Sequence, residues 1–511
     1  MRGFLRAIVA PALALLLAAA PTLAEGQGEQ AAEGLMQISY IPQSGFGFTP
    51  VPDTPIEQFI EEEFDVLLDP QEVDVTNTEQ YNLWVAQGGD ADYWQTFHNP
   101  QFKTFLGQGV FREVPREMIY EHAPNYMEHV YDILGDELAE QYVQFGGTYY
   151  GLAFGQVDRP YLHGARKDWM ETLGIEAAPE TLAELEDLLT AFTEEDPDGN
   201  GEDDTYGISD YWGVGLGSVF AAFGIQPDTW DVWDGTVVYT PTTEAYKQAL
   251  AVLADWYEKG LLHPESPTMD RNGMFQLWNE GKLGVQYNNP WWVAPGVDGN
   301  VTDQLTDANP NAEVVLFPAV TGPDGTTAGG FAWHPSQRAY TYFKAFGADA
   351  PDEKVIKVLE IWDAFASDLD LYLRTAYGEE GVDWQYDENG IITRIGDATD
   401  AEYRNTQGMN YFGNLILPDE LRFPEPVLDS FELAWSTGAA YRGVNFFPVR
   451  ANELDEELGS DITTVVEEYM WNVVTGELDL ERSWDEYLTR LDRAGLPEVL
   501  AEWQAIYEES Q

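Results

Sequence analysis

A chain of 511 residues is long enough for two or more hydrophobic cores and too long for one small domain. Its 90 acidic residues against 25 basic ones give a formal net charge of −65, a field that makes nucleic acid and anionic lipid poor partners. It has no cysteine, which removes disulfides, thiolate metal sites, cysteine nucleophiles and a lipid-bearing N-terminal Cys (no lipobox).

Residues 1–24 read as a secretory signal peptide. Arg2 and Arg6 supply the positive start, Ile8 to Ala20 the apolar run, and Thr22-Leu23-Ala24 the small residues before cleavage. The mature protein is therefore expected to be exported and soluble, most simply in a periplasm. Leu35 to Tyr40 reads as a first strand, Pro55 to Phe64 as a helix, and Tyr81 to Gln87 as a second helix stopped by Gly88-Gly89. Phe145 to Phe154 looks like a turn feeding a strand, and Tyr161 to Arg166 like another strand. Thr181-x-x-Glu184 is a capping-box signature, and Leu182, Leu185, Leu188, Leu189 and Phe192 fall on one face behind it. Helices are expected over 243–259, 352–366, 461–474 and 483–494, and strands over 283–287 and 314–317. Strands alternating with helices give an α/β class. The acidic residues are scattered, as on a solvated surface of halophilic type.

The segment Asp196-Pro-Asp-Gly-Asn-Gly-Glu-Asp-Asp204 sets oxygen side chains at Asp196, Asp198, Asn200 and Asp204, relieved by Gly199 and Gly201. A hard cation such as Ca²⁺ takes six to eight oxygens, and the Glu202 carbonyl offers another. An EF-hand would need a bidentate Glu at its twelfth position, where this chain has Gly207. A calcium turn that closes differently is expected, in competition with a merely solvated acidic loop.

Catalytic signatures are sparse. The six histidines form no HExxH or other metal spacing, there is no GxSxG elbow, and Gly213-Val-Gly-Leu-Gly217 lacks the third glycine of a dinucleotide loop. With 90 carboxylates, any pair fits a glycosidase, so the pairing carries no weight. The aromatic residues say more. Tyr287-Asn-Asn-Pro-Trp-Trp292 follows a short strand, and Gly329-Gly-Phe-Ala-Trp333, Asp210-Tyr-Trp212 and Asp90-Ala-Asp-Tyr-Trp94 resemble it. An indole beside Asp or Asn suits a pyranose, whose C–H face stacks while its hydroxyls bond to the polar neighbours. Core packing is the competing reading for each Trp, least so for the loop-borne Trp291.

Taken in order, several segments resemble the solute-binding proteins of ABC importers, in particular the alginate-binding and LplA-like subgroup with a calcium turn. They are Trp84 to Asp92, Ala123-Pro-Asn125, Gly146 to Leu152, Ala165 to Gly174, Pro179 to Leu182, the turn running into Thr205-Tyr-Gly207, Gly260 to Pro264, Gly281 to Gly284, Tyr377 to Val382 and Val474 to Glu477. Thr205 departs from the acidic residue that often closes the family's turn.

The resemblance implies a two-lobed periplasmic-binding-protein fold of type II, with a hinge and an interlobe ligand cleft. Lobe one would take residues 35–157 and 318–370; lobe two would take 158–317 and 371–511, including the calcium turn 196–205. It implies that Trp291, Trp333, Gln95 and Thr96 face ligand, with Trp212, Trp435 and Arg442 as further candidates. It also implies a monomer that binds an oligosaccharide or related polyol, passes it to ABC permease subunits and is not an enzyme. An acidic sugar would need an arginine such as Arg166, Arg338 or Arg442, and a peptide or lipid-derived ligand stays open. The rival from another class is a secreted glycoside hydrolase or polysaccharide lyase, which would show turnover. A sugar sensor docking with a membrane receptor is a third reading.

Overall fold

The computed structural model describes residues 34–43, 48–75, 77–96, 99–134, 148–154, 160–211, 215–297, 300–329, 342–438 and 453–509. The expected signal peptide lies outside them. Among the described residues thirteen strands are defined: β1 (Met36–Tyr40), β2 (Val66–Pro70), β3 (Tyr93–Thr96), β4 (Gly151–Phe154), β5 (Leu162–Arg166), β6 (Tyr206–Ile208), β7 (Trp230–Trp233), β8 (Thr236–Tyr239), β9 (Leu283–Asn288), β10 (Val314–Phe317), β11 (Tyr342–Phe346), β12 (Trp384–Tyr386) and β13 (Ile392–Arg394). A five-stranded sheet runs β2-β1-β3-β11-β4 and a four-stranded sheet β10-β5-β9-β6; β7-β8 and β12-β13 are small hairpins. In the first sheet β1 is parallel to β2 and β3, and β11 is antiparallel to β3 and β4. In the second, β6 is parallel to β9, while β5 is antiparallel to β9 and β10.

Each sheet has its own core, as expected for a two-lobed α/β chain. The first core gathers Ile38, Tyr40, Tyr93, Trp94, Phe111, Tyr126, Leu359 and Trp362, with Tyr372, Trp384, Tyr411, Phe412 and Leu417 from further along the chain. The second gathers Ala165, Leu185, Phe192, Ile208, Phe220, Leu250, Trp256 and Val285, with Tyr469, Tyr487 and Trp503 from the C-terminal helices.

Two expected lobe boundaries move. Residues 371–417, assigned from sequence to lobe two, pack in the first core, because the helix Leu369–Tyr377 buries Tyr372, Leu373 and Ala376 there. Residues 318–329, assigned to lobe one, pack beside the second sheet. There the Thr321 N–H donates to the Glu180 carbonyl (3.0 Å) and the Ala328 N–H to the Ala221 carbonyl (2.7 Å).

Local sequence accounts for most of the helices. The capping box forms as read: the Thr181 hydroxyl accepts from the Glu184 N–H (3.2 Å), and the Glu184 carboxylate accepts from the Thr181 N–H (3.0 Å). The helix Leu182–Glu194 then buries the five apolar residues expected on its inner face. A second box, Thr54 with Glu57, opens the helix Pro55–Phe64. In the Trp84-to-Asp92 motif, Gly89 lies under the Trp84 indole, where an added Cβ would come within 2.3 Å of the ring. Asp92 accepts from the Ser39 N–H and hydroxyl (2.8 Å each) and from Lys354 (2.7 Å), which fixes β1 against β3.

Candidate functional site

In open α/β sheets ligands gather at the carboxyl ends of the parallel strands. In the second sheet those are the ends of β6 and β9. Beyond β6 stands Tyr211; at the end of β9 stands Asn288, whose amide donates to the Tyr211 hydroxyl (3.2 Å). The following segment folds as a one-turn helix, Pro290–Val293, with Pro at its start and the Asn289 side chain accepting from the Trp291 N–H (3.0 Å). Asn300 fixes its far side by donating to the carbonyls of Trp291 (3.0 Å) and Ala294 (2.7 Å). This brace presents Trp291 and Trp292, both half-buried, on a held backbone.

The two indoles have different surroundings. Trp291 meets Phe423 edge-on, with ring centroids 5.1 Å apart, and the Arg422 guanidinium lies 5.6 Å from its ring centre. Trp292 leans on Phe275 (5.4 Å) and carries Arg271 at 5.7 Å. Burial pushes the Tyr211 hydroxyl up to about 12; its Asn288 hydrogen bond and the nearby Arg271 charge work the other way. The two neighbouring indoles thus pack toward different clusters, Trp291 toward Phe423 and Trp292 toward Phe275, and each stays half-buried beside a guanidinium.

Gln95 and Thr96, at the carboxyl end of β3, are both buried. Gln95 is occupied within the protein: its amide donates to the carbonyls of Ile41 (3.1 Å) and Tyr411 (2.8 Å). Its cross-strand neighbour Lys344 reaches the same segment, donating to the Asn414 carbonyl (2.9 Å) with its ammonium 4.0 Å from the Trp362 ring centre. Burial holds that amine well below the usual lysine range. Gly413 passes between them at φ 109°, where a Cβ would lie 2.6 Å from the Gln95 oxygen. The Tyr411–Asn414 segment is thus clasped to the first sheet.

Other sequence-predicted residues are placed as follows. Trp94 belongs to the first core and not to a ligand loop: it is fully buried, stacked on Tyr81 at 6.0 Å and edge-on to Phe111. Arg166 is buried and held by Asp168 through two hydrogen bonds (2.9 and 2.6 Å), while its Nη1 is buried without a hydrogen-bond partner. Trp212, Trp333, Arg338 and Arg442 lie outside the described residues. Trp435 lies on the helix Glu425–Gly438. Arg271 and Arg422 escape a reading of the sequence, because what marks them, contact with Trp292 and Trp291, joins residues far apart in the chain.

The acidic turn closes on itself through Asn200. Its amide donates to Asp198 (2.9 Å) and Asp204 (3.0 Å), and its oxygen accepts from the Glu202 N–H (2.6 Å). Asp196, at φ 46°, accepts from the Gly201 N–H (3.1 Å). Among the described residues no three His, Cys, Asp or Glu side chains converge as a metal-binding group. The Asn200 amide takes the position between two carboxylates that a cation would compete for. The donors nevertheless fit one: Asp196 Oδ1 is buried without a hydrogen-bond partner, and burial, helped by the neighbouring Asp196 and Asp204, raises Asp198. Thr205 turns away, its hydroxyl donating to the Phe192 carbonyl (2.8 Å) at the end of the preceding helix.

Residues 118–360 match the family model described as bacterial extracellular solute-binding protein. The chain is 22% identical over 390 residues to the polygalacturonan/rhamnogalacturonan-binding protein YtcQ of Bacillus subtilis, covering 74% of this chain and 73% of that one. It is 24% identical over 379 residues to the fructooligosaccharide ABC transporter substrate-binding protein FusA of Streptococcus pneumoniae, covering 68% and 65%. Among solved structures, the fold is similar to a solute-binding protein from Bifidobacterium longum infantis described as HMO-binding and ABC-transporter-associated (TM-score 0.69, 18% identity, 93% of this chain and 99% of that one). It is also similar to the alginate-binding protein AlgQ2, solved without calcium ion (TM-score 0.68, 17% identity, 94% and 99%).

Proposed function

We propose that the chain acts as the bacterial extracellular solute-binding protein that its family match describes, capturing an oligosaccharide between its lobes and delivering it to an ABC permease. The observation that carries this reading is the pair of braced, half-buried indoles Trp291 and Trp292 at the carboxyl end of β9, each beside an arginine, with the Asn288–Tyr211 pair at the same strand end. Indole faces take the C–H surface of a pyranose, and the polar rim takes its hydroxyls. The work is binding and closure. Ligand that touches both lobes favours the closed arrangement by whatever contact it gains there, and no covalent step is required. Several similar proteins carry names of sugar binders, including YtcQ and FusA, which supports a carbohydrate over a peptide.

The expected cleft contacts from Trp333, Trp212, Trp435, Thr96 and Arg442 remain part of this proposal. A calcium ion is proposed for the 196–204 turn, held by Asp196, Asp198, Asn200, Asp204 and the Glu202 carbonyl. When bound it supplies positive charge to a carboxylate cluster and pins the loop; it has no part in ligand chemistry. Export to the periplasm as a soluble monomer belongs to the same reading. Isothermal titration of the purified protein with an oligosaccharide panel, alongside an assay for new reducing ends, tests it. Stoichiometric binding without product is expected; turnover would move the chain to the glycoside hydrolases or lyases.

A further inference from the structure

Between residues 411 and 423 the chain leaves the first core and reaches the cluster that holds Trp291. The first part of that path is gripped by side chains of the first lobe, which bond to its backbone. The Tyr411 carbonyl accepts from Gln95 (2.8 Å), the Phe412 carbonyl from the Tyr93 hydroxyl (3.1 Å) and the Asn414 carbonyl from Lys344 (2.9 Å). The Leu415 N–H donates to the Tyr372 hydroxyl (3.1 Å), and the Ile416 carbonyl accepts from His129 Nε2 (2.5 Å). These partners come from β3, β11 and the helices Leu369–Tyr377 and Pro124–Leu134, so the segment is fixed to that lobe from several sides. One turn of 3₁₀ helix follows, Asp419–Leu421, closed by the Arg422 and Phe423 N–H groups on the Asp419 carbonyl (2.9 Å each). Leu421 still packs on the first core. Phe423, two residues on, is buried beside Ala294, Val297, Val427 and Phe431, and its ring meets Trp291 edge-on. A single hydrogen-bonded turn therefore rests one side chain on each lobe.

Building on the oligosaccharide reading, we infer that Phe423 is a positioning residue for Trp291: it sets the tilt of the indole, and the turn 418–423 ties that tilt to the first lobe. Asn289 and Asn300 hold the Trp291 backbone from within the second lobe, but they leave the ring its rotation about the side-chain bonds. The T-shaped pair with Phe423, 81° between ring planes, restricts that rotation, because the edge of one aromatic quadrupole prefers the face of another. Stacking on a pyranose depends on ring orientation, and a ring oriented beforehand loses less rotamer freedom when ligand arrives. Phe423 is only 2% exposed while Trp291 is half-buried, so the first supports and the second presents a surface. Because Leu421 and Phe423 share one turn, a shift of the first lobe reaches the ring that seats Trp291. Coupling through packed side chains of this kind is measurable as an interaction between substitutions.

The test has two arms. Calorimetric titration with malto-, fructo- and galacturono-tetrasaccharides, at a temperature where every variant is folded, first identifies the sugar the wild type binds most tightly. Phe423→Leu, which keeps an apolar side chain in the cluster, is expected to weaken that sugar about two- to tenfold, and Leu421→Ala by a smaller factor. Both losses should vanish in a Trp291→Ala background. In the second arm the ligand-free protein, labelled with 5-fluorotryptophan, is observed by fluorine NMR; the Trp291 signal is the one missing from Trp291→Phe. Leu421→Ala should move that signal, although Leu421 packs on the other core. A purely structural role would lower the melting temperature and give affinity losses that persist beside Trp291→Ala, which overturns the inference. Unchanged affinity in Phe423→Leu, or a Trp291 signal unmoved by Leu421→Ala, overturns it while sparing the oligosaccharide reading. Failure of every sugar to bind the wild type removes that reading and the ligand role of Trp291 with it.

Discussion

Replacing Gln95 with leucine separates two roles for one residue. If Gln95 contacts ligand, the variant folds normally and binds sugar poorly. The structure points to a different effect. The Gln95 amide is the donor to the carbonyl of Ile41, a fully buried residue. It is also one of two donors to the Tyr411 carbonyl, the other being the Gln43 N–H at 2.9 Å. The Gln95→Leu substitution would leave the Ile41 carbonyl without its hydrogen bond, a cost of about 1–3 kcal/mol, while Tyr411 keeps Gln43 and loses less. A total near 2 kcal/mol corresponds to a fall of roughly 4–8 °C in melting temperature for a lobe of this size. Calorimetric melting without ligand measures it, and titration with the preferred sugar gives the affinity at a temperature where both proteins are folded. An unchanged melting curve with affinity lost would refute the clasp and return Gln95 to the ligand.

Three further outcomes are expected. Trp291→Ala should weaken sugar binding about 10- to 100-fold, the loss of one stacking face, with folding preserved because the indole is only half-buried; retained affinity would place the platform elsewhere. Calcium at about 100 times its Kd should stabilise by about 2.7 kcal/mol relative to chelator, and Asp196→Asn, which tolerates the left-handed backbone, should abolish that gain without altering which sugars bind; identical melts in calcium and EDTA would remove the metal. His163 is buried, stacked on Phe317 at 4.5 Å, and burial lowers it to about 3. The unfolded chain takes up this proton near pH 6.5 and the folded chain does not, so stability falls as pH drops from about 6.5 toward 3, by up to about 1.4 kcal/mol per pH unit. Denaturant unfolding of wild type and His163→Phe between pH 4 and 7 should show the wild-type advantage shrinking with acid; a constant difference would contradict the buried neutral imidazole.

The parts of the fold legible in sequence were those decided within a few residues. Thr181 and Glu184 announce a cap, and the leucines behind them a buried face, because both signals span one or two helical turns. The Asp196–Asp204 spacing likewise marks a turn that gathers oxygens. What Thr205 does is settled by the end of the neighbouring helix, whose Phe192 carbonyl takes its hydroxyl, and no spacing rule carries that. The assignment of residues 371–417 failed for a related reason: an amphipathic helix says that one face is buried, not in which of two cores. The Asp90–Trp94 segment has the composition of a sugar-binding loop, yet Trp94 is on a central strand. Its neighbour Asp92 spends its charge on Lys354 and Ser39. Arg166 was the most legible of the candidate anion binders, but no spacing rule says that Asp168, two residues on, holds it through two hydrogen bonds.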